Sequence, residues 1–388
     1  MDFSLSEEQQ LFQDSVRRWA MQELAPDAVA RAMADDYPRD IARKAAEMGL
    51  IGITFAEADG GAGGTLMDAI IAIQEVALAC PRSADVIQSG NFGPIRTFYE
   101  YATPEQKERF LPGLLRGETV ISLGMSEPGA GSAVTELQTT ARIEGDQVII
   151  SGTKVFGTHS HEADLFLVYV RFGPGLNGIG SVLIERGTEG FEVGPPTAFM
   201  NGEKWSQLYC DNCRIPKENI LLGPGGFKKQ ISGFNVERLG NSSRAVALGR
   251  HAFNIARDHA LERRQFGRPL CEFQGLQWKF ADMELRLTSA QLMLMRAAVN
   301  AKDGLPSAQD AALAKLACNE AGHFVANEAL QIMGATGFSE DNLVQYCVRR
   351  TRGWMIAGGS LEILRNKIAE GIFDRRFDQR GPVAEAKS

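Results

Sequence analysis

The sequence predicts an α+β protein of several lobes, helical at both ends with a β domain between. Three changes of periodicity carry this reading. Residues 1–120 repeat apolar positions at helical spacing, residues 121–230 break into short β-branched and aromatic runs separated by turn residues, and residues 231–375 return to helical spacing. A polar tail, 376–388, follows.

The first helix opens on Ser6 and Gln9, spaced as a capping box ahead of Phe12, Val16 and Trp19 at i, i+4 and i+7. The run DGGAGGT (59–65) lacks the Lys-Ser/Thr ending of a phosphate loop and reads as a plain loop. In the β domain the runs TARI, QVIISGTKVF, ADLFLVYVRF, IGSVLIE and QLYCDNCRIP read as strands, with Gly145-Asp146 as a hairpin turn between the first two. The glycines of RFGPGLNGIG are too irregular for a dinucleotide fingerprint. After GPGG (223–226), breaks at FGRPL (266–270), KDGLP (302–306), GATGF and AGG divide the last lobe into four or five long helices.

Composition limits the function. With 44% hydrophobic and 23% charged residues the chain is that of an ordinary globular protein, and a net charge of −7 excludes a general nucleic-acid binder. No apolar run reaches the ~20 residues that span a bilayer, and the acidic start MDFSLSEEQQ is unlike a signal peptide, so a cytoplasmic location without membrane insertion is expected. Six cysteines are too few for a disulfide framework. Cys210 and Cys213 form a C-x-x-C without a second ligand pair, so both are expected to be strand residues and no metal is expected.

The segment WMIAGGSLEILRN (354–366) raises the functional question, because Gly358 and Gly359 cost stability beside a helix-forming run. Adjacent glycines serve either an unusual backbone conformation or the close approach of another molecule to the main chain. GMSEPGAGSA (124–133), GTKVFGTHS (152–160), ERLGNSSRAVALG (237–249), RRQFGRPLCEFQ (263–274), QIMGATGF (331–338) and AGGSLEILRN (357–366) together resemble the flavin-dependent acyl-CoA dehydrogenases, in the family's order over nearly the whole chain. The resemblance implies a barrel-like antiparallel middle domain and a C-terminal four-helix bundle. It also implies FAD, an acyl-CoA substrate, an electron-transfer flavoprotein as electron acceptor, and a homotetramer, a dimer of dimers.

Residue by residue, the resemblance assigns flavin contacts to Met125, Ser126, Gly131, Ser132, Phe156 and Thr158, with Phe156 stacking on the ring and Thr158 near its reactive nitrogen. Arg263, Phe266 and Gln274, with Gln331, Ile332, Gly334 and Ala335, match positions that hold the adenine and pyrophosphate half of a flavin bound mainly by the neighbouring subunit. Arginine suits that task because its fork pairs two phosphate oxygens. Ser360 and Glu362 match further flavin contacts, and Ser132, Asn235, Arg238, Gly358 and Gly359 match substrate contacts.

Many members carry their catalytic glutamate where this chain has Gly358. Glycine keeps the backbone N–H that polarises the thioester carbonyl but removes the base. Members resembling isovaleryl-CoA and long-chain dehydrogenases place the glutamate one residue before an arginine, as Glu237-Arg238 stands here, which assigns Glu237 as the base and flavin N5 as hydride acceptor. Phe156, Gly157 and His159 replace the common Trp, Ile and Asn. This leaves His159 and His161 open between substrate contact and a solvated loop. Ala133, where aspartate is common, brings resemblance to 3-sulfinopropionyl-CoA desulfinases. Redox-neutral elimination, enoyl-CoA reduction and a role as one subunit of a hetero-oligomer therefore stay open beside dehydrogenation.

Overall fold

The computed structural model describes residues 4–377. Most of the tail expected over 376–388 therefore lies outside the described residues.

The N-terminal lobe contains α1 (Glu7–Glu23), α2 (Ala28–Met33), α3 (Arg39–Glu47), α4 (Leu66–Ala79), α5 (Ala84–Ser89), α6 (Pro94–Tyr101) and α7 (Pro104–Leu115). Ser6 and Gln9 form the expected capping box of α1. The DGGAGGT segment ends on Thr65, which caps α4 together with Asp68. Helix α4 is apolar on nearly all sides because it is enclosed between α1 and the C-terminal helices.

The middle lobe is one sheet of eight strands: β1 (Ile121–Gly124), β2 (Thr140–Glu144), β3 (Gln147–Lys154), β4 (Leu165–Arg171), β5 (Ile179–Glu185), β6 (Phe191–Ala198), β7 (Lys204–Pro216) and β8 (Ile220–Leu222). Gly145-Asp146 joins the antiparallel pair β2 and β3, as expected for a hairpin. The order is β6-β7-β3-β2-β4-β5-β8, with β1 beside β4. This corrects the barrel-like antiparallel expectation: the path does not close among the described residues, and both β1 and β2 pair parallel with β4. The near-continuous apolar run of β4 fits that central place, buried on both faces. Pro195 and Pro196 fall on β6, an edge strand, where a missing N–H is tolerated. Cys210 and Cys213 are buried free thiols on β7.

The C-terminal lobe begins with α8 (Phe227–Glu262), followed by the short strands β9 (Arg264–Gln265) and β10 (Arg268–Pro269). Then come α9 (Gln274–Val299), α10 (Ala308–Met333), α11 (Ala335–Phe338), α12 (Leu343–Trp354) and α13 (Leu361–Phe373). Helices α8, α9, α10 and α12 pack as four, and α13 lies on α10. A Cβ on Gly322 would stand 2.1 Å from the Ala245 carbonyl oxygen, so this glycine sets how closely α10 approaches α8. Among the described residues no helix is long and apolar enough to cross a membrane.

Candidate active site

Helix α8 is mostly buried along its length, and Glu237 lies in its N-terminal third with part of its surface open. Gln88, at the end of α5, donates through Nε2 to Glu237 Oε1 at 2.6 Å. Gly93 supplies room on the other side, since a Cβ there would meet Glu237 Oε2 at 3.0 Å. Burial pushes the Glu237 carboxyl up to about 7, against the opposing pull of Arg244, the Gln88 hydrogen bond and Lys315. A carboxyl titrating there is poised to accept a proton near neutral pH.

The paired glycines sit beside this helix. Gly358 has φ +71° and Gly359 φ +91°, so both occupy backbone space that favours glycine. Arg238 holds the loop by donating from Nε to the Gly358 carbonyl at 3.3 Å, and its Nη1 reaches Asn235 Oδ1 at 2.8 Å. From α10, Lys315 Nζ donates to the carbonyls of Trp354 at 3.1 Å and Gly359 at 2.9 Å. Burial pushes the Lys315 amine down to about 7, with Arg238 adding to the shift and Glu237 opposing it. Within the described residues no hydrogen bond takes up the Gly358 N–H. Of the predicted substrate contacts, Arg238 joins Asn235 to the loop of Gly358 and Gly359, with Glu237 beside it on α8, whereas Ser132 stands on a different loop.

The loop carrying Met125, Ser126, Gly131 and Ser132 is anchored from below by Glu127. That buried carboxylate accepts from Gln138 N, Thr139 N, Thr139 Oγ1 and Lys154 Nζ at 2.6–2.9 Å, while Lys154 also reaches the Met125 carbonyl. Ser132 is exposed on this loop. Phe156 has φ +65°, is 57% exposed and packs 4.7 Å from the Trp205 ring. Thr158 is also exposed, and its carbonyl accepts from Ser122 Oγ at 2.9 Å.

His159 and His161 are not solvated loop residues. His159 is buried edge-on against Tyr37 at 4.9 Å, and burial with the neighbouring Arg82 holds its pKa well below the ordinary histidine value. His161 is also largely covered, with Nε2 3.2 Å from Glu162 Oε1.

Arg263, Phe266 and Gln274 are exposed around the β9–β10 turn, with Phe266 at φ +50°. Gln331, Gly334 and Ala335 are exposed at the end of α10, whereas the Ile332 side chain is buried and leaves only its backbone to serve a ligand. Ser360 caps α13 by accepting from Ile363 N, and Glu362 is exposed in its first turn.

Sequence reasoning missed the polar cluster behind Glu237. Arg244 stacks on Trp354 at 4.2 Å, pairs with Asp85 and donates to Gln88 Oε1 at 2.9 Å. Arg82 and Arg350 also pair with Asp85, and Arg350 pairs with Glu203. The only sequence signal was charged residues inside apolar runs, as with Lys315 in AALAKLAC.

Comparison with known proteins agrees with this architecture. Family models described as acyl-CoA dehydrogenase N-terminal, middle and C-terminal domains match residues 6–118, 122–213 and 224–373. The chain is 32% identical to the short-chain specific acyl-CoA dehydrogenase of Clostridium acetobutylicum, covering 96% of this chain and 100% of that one. It is 34% identical to the 3-sulfinopropanoyl-CoA desulfinase of Advenella mimigardefordensis, covering 97% and 96% respectively. The solved butyryl-CoA dehydrogenase of Megasphaera elsdenii superposes with a TM-score of 0.90 at 29% identity, over 96% of this chain and 100% of that one. With all three family domains matched in order, the chain belongs to the acyl-CoA dehydrogenase family.

Proposed function

We propose that this enzyme removes an α-proton and a β-hydride from an acyl-CoA thioester to give the 2-enoyl-CoA, with FAD as cofactor and Glu237 as base. The observation that carries the reading is one desolvated carboxylate, Glu237, on the helix whose next residue, Arg238, holds the loop where Gly358 presents an untaken N–H. Glu237 takes the α-proton while the Gly358 N–H stabilises charge developing on the thioester oxygen. Arg238 and Lys315 hold that loop in place by its carbonyls.

The residues assigned to FAD suit its chemistry. Phe156 offers an exposed ring face, Ser132 and Thr158 offer hydroxyls at the surface, and nothing crowds Gly129 or Gly131 within 4 Å of an added Cβ. Bound flavin supplies the acceptor for the hydride leaving the β-carbon. An electron-transfer flavoprotein is the proposed acceptor of those electrons.

A homotetramer is the proposed assembly. Arg263 caps α8 26 residues beyond Glu237, a separation of roughly 39 Å along a helix rising ~1.5 Å per residue. One extended dinucleotide does not span that distance, so Glu237 and Arg263 serve one flavin only if they come from different copies. Helix α9 also exposes Trp278, Leu285, Leu292 and Val299, a stripe spaced every seven residues that a second copy can cover. The six free cysteines fit a reducing, cytoplasmic setting.

Redox-neutral elimination is the second reading, favoured by the identity to a desulfinase. Anaerobic titration of the purified yellow protein with a panel of acyl-CoA thioesters separates the two. Flavin bleaching marks dehydrogenation and names the acyl class; product formed without bleaching marks elimination.

A further inference from the structure

Glu237 is held by an amide whose orientation has only one solution. Arg244 Nη1 lies 2.9 Å from one end of the Gln88 side chain, and a guanidinium has donors only, so the amide atom facing it is the oxygen. The other end, 2.6 Å from Glu237 Oε1, is then the nitrogen, which donates. Arg244 cannot move to release the amide without leaving the Trp354 ring and the Asp85 carboxylate. Gln88 and Arg244 are themselves only 7% and 4% exposed, so water does not replace these bonds readily.

The charges behind the amide point the same way. Arg82, Arg244 and Arg350 face Asp85 and Glu203, three cations against two anions, and His159 beside them stays neutral. One positive charge is left over, and it is matched when Glu237 ionises. Lys315 on α10 also acts on the carboxylate through its charge.

We propose that Gln88 and Arg244 are positioning residues for the base: Arg244 locks the Gln88 amide so that it can only donate to Glu237 Oε1, which favours the ionised carboxylate and leaves Oε2 to take the substrate proton. A reversed amide would offer its oxygen to Glu237 and favour the protonated acid. Arg244 forbids that reversal. The inference rests on Glu237 being the base, and its test separates the two claims.

The test is deuterium incorporation at the α-carbon of acetyl-CoA in D2O, followed by NMR on the flavin-loaded enzyme across pH 5–9. Acetyl-CoA has an α-carbon but no β-hydrogen, so exchange reads the base without any oxidation. Glu237 takes the α-proton and returns a deuteron, and no electron leaves the thioester. Gln88→Met keeps the volume but cannot donate; the midpoint of exchange is expected to rise by about one pH unit, slowing exchange about tenfold on the acid limb and little on the alkaline plateau. Gln88→Glu, with a second carboxylate beside Glu237, is expected to raise the midpoint further. A wild-type midpoint in either folded variant, while Glu237→Gln abolishes exchange, overturns the positioning role and leaves the base intact. Wild-type exchange by Glu237→Gln overturns the assignment of the base instead.

Discussion

Arg238 Nε donates to the carbonyl of Gly358 across 120 residues of sequence, tying the helix that bears Glu237 to the loop that bears the paired glycines. One guanidinium therefore joins the helix that carries the proposed base to the loop that carries the N–H donor. Gly358 keeps its N–H free and its φ positive in that arrangement.

Gly358→Ala follows directly. An added Cβ would meet Lys315 Cε at 3.4 Å, an ordinary contact, so the cost comes from φ +71° and not from a clash. Equilibrium urea unfolding is expected to show a loss of about 1–2 kcal/mol. Flavin reduction should slow as well, because the loop relaxes towards negative φ and turns its N–H away. A variant as stable as the parent would contradict the left-handed backbone.

The raised pKa of Glu237 gives a pH-dependent stability. Its folded value of about 7 lies above the ordinary 4.5, so between those pH values the folded state keeps a proton that the unfolded chain has released. Stability from this group is present below the lower value and is lost as pH rises through the folded one. Glu237→Gln, neutral throughout, is expected to gain stability over the parent as pH rises from 5 to 7, and to hold that gain above it. Paired urea titrations at the two ends of the window check this; a gap independent of pH contradicts the desolvated carboxylate.

The cross-copy arrangement predicts two separable losses. Arg263→Ala should stay folded and assembled yet release FAD on gel filtration. Leu285→Glu, on the exposed stripe of α9, should shift the protein to smaller species and release FAD with them. Retention of FAD by a monomeric Leu285→Glu variant would place the whole flavin site within one copy.

Much of this was legible in the sequence because it is local. The capping box at Ser6 and Gln9 and the turn at Gly145-Asp146 each follow from a few neighbouring residues, whereas the paired glycines left an unusual backbone and a close approach both open. The three lobes followed from a change of period. What was not legible depends on distant contact. Gln88 meets Glu237 across 149 residues and Arg244 across 156, and nothing in VIQSG marks its glutamine as a partner of either. His159 stood open between substrate contact and a solvated loop because its neighbours Tyr37 and Glu203 arrive from elsewhere in the chain. The parallel pairing of β1 and β2 with β4 is likewise a matter of topology, which strand periodicity does not carry, and the antiparallel expectation came from the family resemblance.

The central claim is that Glu237 removes the α-proton although Gly358 stands where a glutamate is more common in the family. Rapid-mixing absorbance of anaerobic, flavin-loaded Glu237→Gln with an acyl-CoA that the parent oxidises tests it most directly. The variant is expected to bind FAD and thioester as the parent does and to reduce its flavin slower by roughly 10² to 10⁴-fold, the share of a positioned general base. Flavin reduction at the parental rate would contradict the assignment.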